Sequence, residues 1–162
     1  MTHLSYFHFL IGLAFAFSLA SCDSSNEDTS TSPSTISESE IIFNSDKTGV
    51  FQIYRSHLST SVEQQITNDS NYDHWWPRIS PDRTKVLYHK ALTSAGQDYG
   101  QSEIWVSSPD GSNPQRVLAV GDHGWTLQAH AEWSLDGEKI LICAAISGVL
   151  HIATTDAAGQ NA

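Results

Sequence analysis

The sequence predicts an all-β fold made of repeated antiparallel strand pairs. Three apolar segments are each followed, a short distance on, by a segment of aromatic and β-branched residues, a composition typical of strands. Ile41 and Val86 begin two of the first segments and lie 45 residues apart, and Ile140 begins the third, 54 residues further on. The first segments are 41–43, 86–88 and 140–142, and the second segments are 52–54, 103–105 and 150–152. Spacing of this size indicates a repeat of small sheets.

Short turns rich in Asp, Pro and Gly bound these strands. Segments 80–83 and 134–137 precede a first strand, and segments 108–111 and 155–159 follow a second strand. Proline presets φ in such turns, the Asp side chain bonds to nearby backbone, and Gly accepts a positive φ. The extra length of the second repeat falls mainly in the polar loop 93–101, and insertions confined to loops leave a repeat intact.

The N-terminus predicts export. Residues 1–21 read as a signal peptide, because an apolar core from Phe7 to Phe17 is too short to span a bilayer and is followed by small residues before Cys22. This ending resembles the lipobox of bacterial lipoproteins, which implies cleavage before Cys22 and lipidation of its thiol. An ordinary secretory signal with a chance cysteine is the alternative, since the segment before the apolar core has no Lys or Arg.

Residues 22–39 predict a disordered tether that holds the domain away from a membrane. The segment is rich in Ser, Thr and Asp, and Ile36 is its only large apolar residue. The whole chain has a formal charge of −10, and four of its acidic side chains belong to the tether. The remaining charges are mixed in sign and form no basic stripe, so binding to nucleic acid is not expected.

The turn and strand motifs resemble the β-propeller repeat of the periplasmic TolB family and of similar WD-like repeat proteins. The segments that match are 78–88, 132–142 and 104–111, with the family's Ser-Pro-Asp-Gly turn at 80–83 and 134–137. Arg83 replaces the usual Gly and Leu135 the usual Pro, so these turns are expected to be looser or of another type.

The resemblance implies a partial propeller over residues 40–162, with blades near 41–80, 86–134 and 140–162. A closed propeller needs about four to eight blades, so the ring is expected to be incomplete. A fragment of a longer protein is the first interpretation, and an assembly of short chains is the second.

The candidate ligand-binding residues are His74, Trp75, Trp125 and His130. They lie in stretches just before an innermost-type strand, which predicts that they share one rim near a central channel. The aromatic rings either stack on a sugar or peptide ring or pack between blades. His130 is either a hydrogen-bonded rim residue or, by a faint resemblance to oligogalacturonate lyases, a metal ligand. The sequence predicts no complete metal site, no cofactor and no catalytic residue, and Gly-x-Ser-x-Gly is absent.

Two functions remain open. The first is an envelope-anchored recognition scaffold that binds protein partners and is not an enzyme. The second is a fragment of a carbohydrate-active propeller, either a glycan binder or a metal-dependent lyase. Both place the chain in the periplasm or at the cell surface, held to a membrane by lipid on Cys22.

Overall fold

The computed structural model describes residues 35–37 and 39–160, which form strands joined by turns and two short 3-10 helices. The predicted signal peptide, Cys22 and most of the predicted tether lie outside the described residues. The strands are β1 Glu40–Ser45, β2 Gln52–His57, β3 Glu63–Gln65, β4 Tyr72–Ile79, β5 Val86–Leu92, β6 Glu103–Ser107, β7 Gln115–Leu118, β8 Leu127–Trp133, β9 Lys139–Ile146 and β10 Val149–Asp156. The 3-10 helices are Thr93–Ala95 and Asp122–Gly124. No helix in these ranges is long and apolar enough to cross a membrane.

The strands form three antiparallel sheets, in the orders β1-β2-β3, β4-β5-β6-β7 and β8-β9-β10. Strand pairs β1-β2, β5-β6 and β9-β10 are the three strand pairs that the sequence repeat predicts. β4 and β8 are added before the second and third pairs, so residues 72–79 belong to the second sheet although they close the first sequence repeat. The all-β fold is confirmed, and the three sheets of the described residues do not close a ring.

The middle sheet is covered on both faces. Strand β5 explains this, because alternate side chains of a strand point to opposite faces. Val86 and Tyr88 pack with Ile53 of the first sheet, and Leu87 packs with Ile140 of the third sheet. Burial of apolar surface at each contact stabilises the fold by about 25 cal/mol per Å². The described part of the third sheet leaves its outer side apolar and exposed at Val149, Leu150 and Ile152.

The two turns that depart from the family motif are not looser. In 80–83 and in 134–137 the serine hydroxyl lies 2.6 Å from the Asp carboxylate two residues on. The amide of the fourth residue donates to the serine carbonyl, at 2.8 Å for Arg83 and 2.9 Å for Gly137. Arg83 takes the left-handed conformation at φ 62°, close to Gly137 at 73°, so the serine and aspartate bonds are sufficient to fix the turn.

The predicted tether gives way to ordered structure before residue 39. Ile36 is only 2% exposed, packs with Ile53 and Val86, and donates its amide to the Arg83 carbonyl at 3.1 Å. One large apolar side chain with a place in the core offsets the entropy of ordering a short segment. Composition alone could not reveal this, because it shows an isolated isoleucine among polar residues and gives no sign of a matching cavity.

Candidate functional site

The first strands of the second and third sheets, β4 and β8, each contain a bulge. The register with the neighbouring strand shifts between Trp75 and Arg78 in β4 and between Ala129 and Glu132 in β8. Both bulges hold a bulky residue at positive φ, 55° at Trp76 and 52° at His130. A left-handed L-residue costs about 1–2 kcal/mol, and such positions recur at functional sites.

The local sequence explains why pairing fails at these points. Pro77 follows Trp76 and has no N–H to donate to the ladder. Ala131 follows His130, and its N–H lies 3.5 Å from Nε2 of His89. A bulge changes the direction of a side chain. The two bulges therefore turn the Trp76 and His130 rings toward each other, with centroids 5.0 Å apart.

A continuous row of aromatic rings begins at this contact. Tyr99, from the loop between β5 and β6, lies edge-on to His130 at 5.2 Å and to His89 at 5.0 Å. His89 in turn stacks on Trp75 at 5.6 Å. Edge-to-face and offset ring pairs add about 0.5–1.5 kcal/mol each beyond their buried area. The row therefore fastens the second sheet to the third.

An ion pair lies beside the rings. The Arg78 guanidinium lies over the Trp76 ring at 4.1 Å, and its Nε donates to Oε2 of Glu132 at 2.6 Å. Arg78 and Glu132 each come two residues after the left-handed residue of their own bulge, so the two strands contribute matching positions. We call the partly exposed group Trp76, Arg78, His130 and Glu132 the bulge surface.

His89 supports the bulge surface from below. The residue is 0% exposed, and burial lowers the pKa of its imidazole to about 3, with further lowering by the charges of His130 and Arg78. Its Nδ1 lies 3.1 Å from the Ser102 hydroxyl. Since Nε2 faces the Ala131 N–H, Nε2 is the acceptor and Nδ1 carries the proton. His89 is thus a neutral residue that links β5 to β8.

The four predicted binding residues do not meet at one rim. Trp75, 3% exposed, and His130 belong to the same row of rings, but His74 projects from the opposite face of β4 and packs near Tyr88. Trp125 is 6% exposed and lies in the core between the second and third sheets. The predicted position of Trp75 just before a strand is also wrong, because Trp75 lies within β4 and pairs with His89.

The predicted binding residues did not include five members of this region: Trp76, Arg78, His89, Tyr99 and Glu132. Aligning the repeats on Ser80 and Ser134 would have placed Trp76 opposite His130 and Arg78 opposite Glu132. Tyr99 gives no such signal, because it belongs to the loop insertion that only the second repeat has. Over residues 35–37 and 39–160, no three His, Cys, Asp or Glu side chains come together in a way that could hold a metal ion.

Solved structures identify the architecture. A TolB protein from Agrobacterium tumefaciens superposes with a TM-score of 0.60 at 21% identity, over 76% of this chain and 43% of its own. TolB from Acinetobacter baumannii superposes with a TM-score of 0.55 at 24% identity, over 73% of this chain and 27% of its own. The fold is that of a TolB-like β-propeller. No family model matches the sequence.

The TolB-like segment is shorter than the proteins it resembles. An uncharacterized protein from Agrobacterium fabrum is 30% identical over 102 residues, which are 61% of this chain and 34% of that protein. The chain thus spans about a third of the length of this curated relative. In a TolB-like propeller the three sheets are consecutive blades. The bulge surface therefore lies where the second and third blades meet.

Proposed function

We propose that this chain supplies blades of an exported, lipid-anchored TolB-like propeller that recognises protein partners through the bulge surface. The observation that carries the proposal is the meeting of two equivalent bulges, which bring an indole, an imidazole and an ion pair together on one surface. Tryptophan and arginine are the residues that most often dominate binding energy at protein interfaces. Strained backbone at both positions is consistent with a site kept for function.

The carbohydrate alternative has less support from the side chains. A glycan binder offers an open aromatic face to a sugar ring, yet Trp75 and Trp125 are buried. Trp76 is partly exposed, but it is already in contact with the Arg78 guanidinium and the His130 ring. A protein partner needs no free ring face, because it can pack against the edges of the rings and exchange hydrogen bonds with Arg78 and Glu132.

The test is position-specific photocrosslinking in intact cells. A benzophenone amino acid placed at position 130 keeps an aromatic group at the bulge surface. Leu135 is the control position, because it is 98% exposed on the turn after β8 and belongs to no proposed site. We expect a protease-sensitive adduct of defined mass from position 130, little or none from position 135, and a strong reduction when Arg78→Met is added.

Each contrary outcome is informative. Equal labelling from positions 130 and 135, or no adduct from position 130, would contradict recognition through the bulge surface. An adduct that resists proteases and is removed by glycosidases would favour the carbohydrate alternative.

Lipidation of Cys22 is the second part of the proposal. The short apolar core before Leu19-Ala20-Ser21-Cys22 supports cleavage and acylation. Cells that express the full chain and are fed a labelled fatty acid should yield a labelled protein, and Cys22→Ala should abolish the label. Cys143→Ala is the matched control, since the second cysteine belongs to β9. Equal labelling of the wild type and Cys22→Ala would contradict the anchor.

A further inference from the structure

A cleft of about 270 Å³ lies between the first two blades, away from the bulge surface. Its floor is the face of the middle sheet that is turned toward the first sheet, and its wall includes Ile66 and Asn68 from the segment after β3. Small-molecule sites are concave, mostly apolar, and carry a few placed polar groups. This cleft has that composition.

Two cross-strand pairs form the floor. His74 pairs directly with Lys90, and Tyr88 pairs directly with Trp105. Opposite residues of an antiparallel pair project to the same face and touch. A cationic and an imidazole side chain therefore lie beside two aromatic rings, with the His74 and Tyr88 centroids 5.7 Å apart.

The polar groups of the floor are poorly satisfied by the protein. His74 is 3% exposed, and its Nδ1 is buried without a hydrogen-bond partner among the described residues. Burial, followed by the charge of Lys90, lowers the pKa of His74 to about 4, so the imidazole is neutral and one nitrogen carries a proton. An unpaired buried polar atom costs about 1–3 kcal/mol, which a ligand that bonds to it can recover.

Lys90 is held in place but not saturated. Its ammonium lies over the Tyr72 ring at 4.2 Å and near the Trp105 ring at 4.9 Å. The nearest carboxylate oxygen, Oδ2 of Asp69, is 3.5 Å away, a long contact for a group with three N–H donors. The ammonium is thus partly buried, fixed by aromatic faces, and able to donate to a further acceptor.

We propose that this cleft binds a small organic acid, with its carboxylate between the Lys90 ammonium and the His74 imidazole, in the tautomer that has its proton on Nδ1, and its apolar body against Tyr88 and Trp105. A carboxylate accepts from both donors at once, and charge-assisted hydrogen bonds of this kind are about twice as strong as neutral ones. The volume fits a compact monocarboxylate, and Asn68 offers a further amide at the wall. The site does not depend on the bulge surface or on a protein partner.

The test uses the full chain and three probe acids, phenylacetate, indole-3-acetate and hexanoate, with phenylacetamide as the uncharged match. Binding is followed by NMR of the indole N–H groups, because Trp105 borders the cleft and donates its Nε1–H to Glu103. We expect at least one acid to shift the Trp105 signal and to leave those of Trp125 and Trp133 unchanged. The amide should bind at least about tenfold more weakly, a difference of about 1.4 kcal/mol.

The variants separate the site from general stability. Lys90→Met keeps the length of the side chain and removes the charge, and His74→Phe fills the space of the imidazole. Each should weaken binding of the acid about tenfold or more, whereas Lys139→Met, at the exposed start of β9, should have no effect. Failure of all three acids to bind more tightly than about 5 mM, or unchanged affinity in Lys90→Met, would overturn the proposal.

Discussion

Gly111→Ala and Gly159→Ala are expected to lower the free energy of unfolding by about 3 kcal/mol or more. Both glycines close the tight turn after a second strand, with φ of +85° and +78°. A Cβ at Gly111 would lie 2.1 Å from the Ile66 carbonyl oxygen, and one at Gly159 would lie 1.8 Å from that of Val117. Because the obstacle is backbone, neither contact can be relieved by a rotamer change. Each turn is thus packed directly against the backbone of the preceding blade, Gly111 against the segment after β3 and Gly159 against β7.

Gly148→Ala is the matched control, because its φ is +80° and nothing lies within 4 Å of an added Cβ. Its free energy of unfolding should fall only by the cost of placing an alanine in the left-handed conformation, about 1–2 kcal/mol. Urea unfolding of the three variants measures the difference directly. If Gly111→Ala and Gly159→Ala lower the free energy of unfolding by an amount within about 0.5 kcal/mol of the control, these turns are not packed against the preceding blade as closely as described.

Acidification from pH 7 to pH 5 is expected to destabilise the chain by about 2 kcal/mol for each of two buried histidines. Burial lowers the pKa of His89 to about 3 and of His74 to about 4, from an ordinary value of 6.5. A lowered histidine pKa means that the unfolded chain binds the proton first. The stabilising contribution is therefore present above pH 6.5 and is lost as the pH falls toward the folded pKa.

Unfolding measured at several pH values, with the variant His89→Gln, tests this account. The variant is expected to remove roughly half of the dependence between pH 7 and pH 5, whereas His151→Gln, at an exposed position of β10, should leave it unchanged. Hydrogen bonds from turn serines lower the pKa of Asp82, Asp110 and Asp136, whose contribution falls only below their ordinary value of 3.8. If the free energy of unfolding of the unmodified chain changes by less than about 0.5 kcal/mol between pH 7 and pH 5, the two histidines are not buried and neutral as described.

The sheets were predictable because their signals are local. The short apolar run Val86-Leu87-Tyr88, with β-branched and aromatic residues and polar turns around it, indicates a strand without reference to the rest of the chain. The hydrogen bonds of the turns are equally local, since Ser80 and Asp82 form them within a few residues. Even the departure at Arg83 leaves the turn intact for this reason.

The candidate site was less predictable because it depends on two bulges that no local sequence pattern predicts. Trp75 and Trp76 are neighbours in sequence, yet one is buried against His89 and the other turns to His130 across the blade boundary. Strict alternation would assign them to opposite faces of a regular strand. Only the pairing of β4 with β5 and the approach of β8 decide which ring meets which.

One measurement tests the central claim most directly, that the bulges of β4 and β8 build a single surface. A NOESY spectrum of the chain with labelled aromatic rings should show contacts from the His130 imidazole to the Trp76 and Tyr99 rings, whose centroids are 5.0 Å and 5.2 Å away. The His74–Tyr88 contact, 5.7 Å within one sheet, is the internal reference. Contacts of His130 to both rings would support the joint surface. Their absence in a spectrum that shows the His74–Tyr88 contact would contradict it.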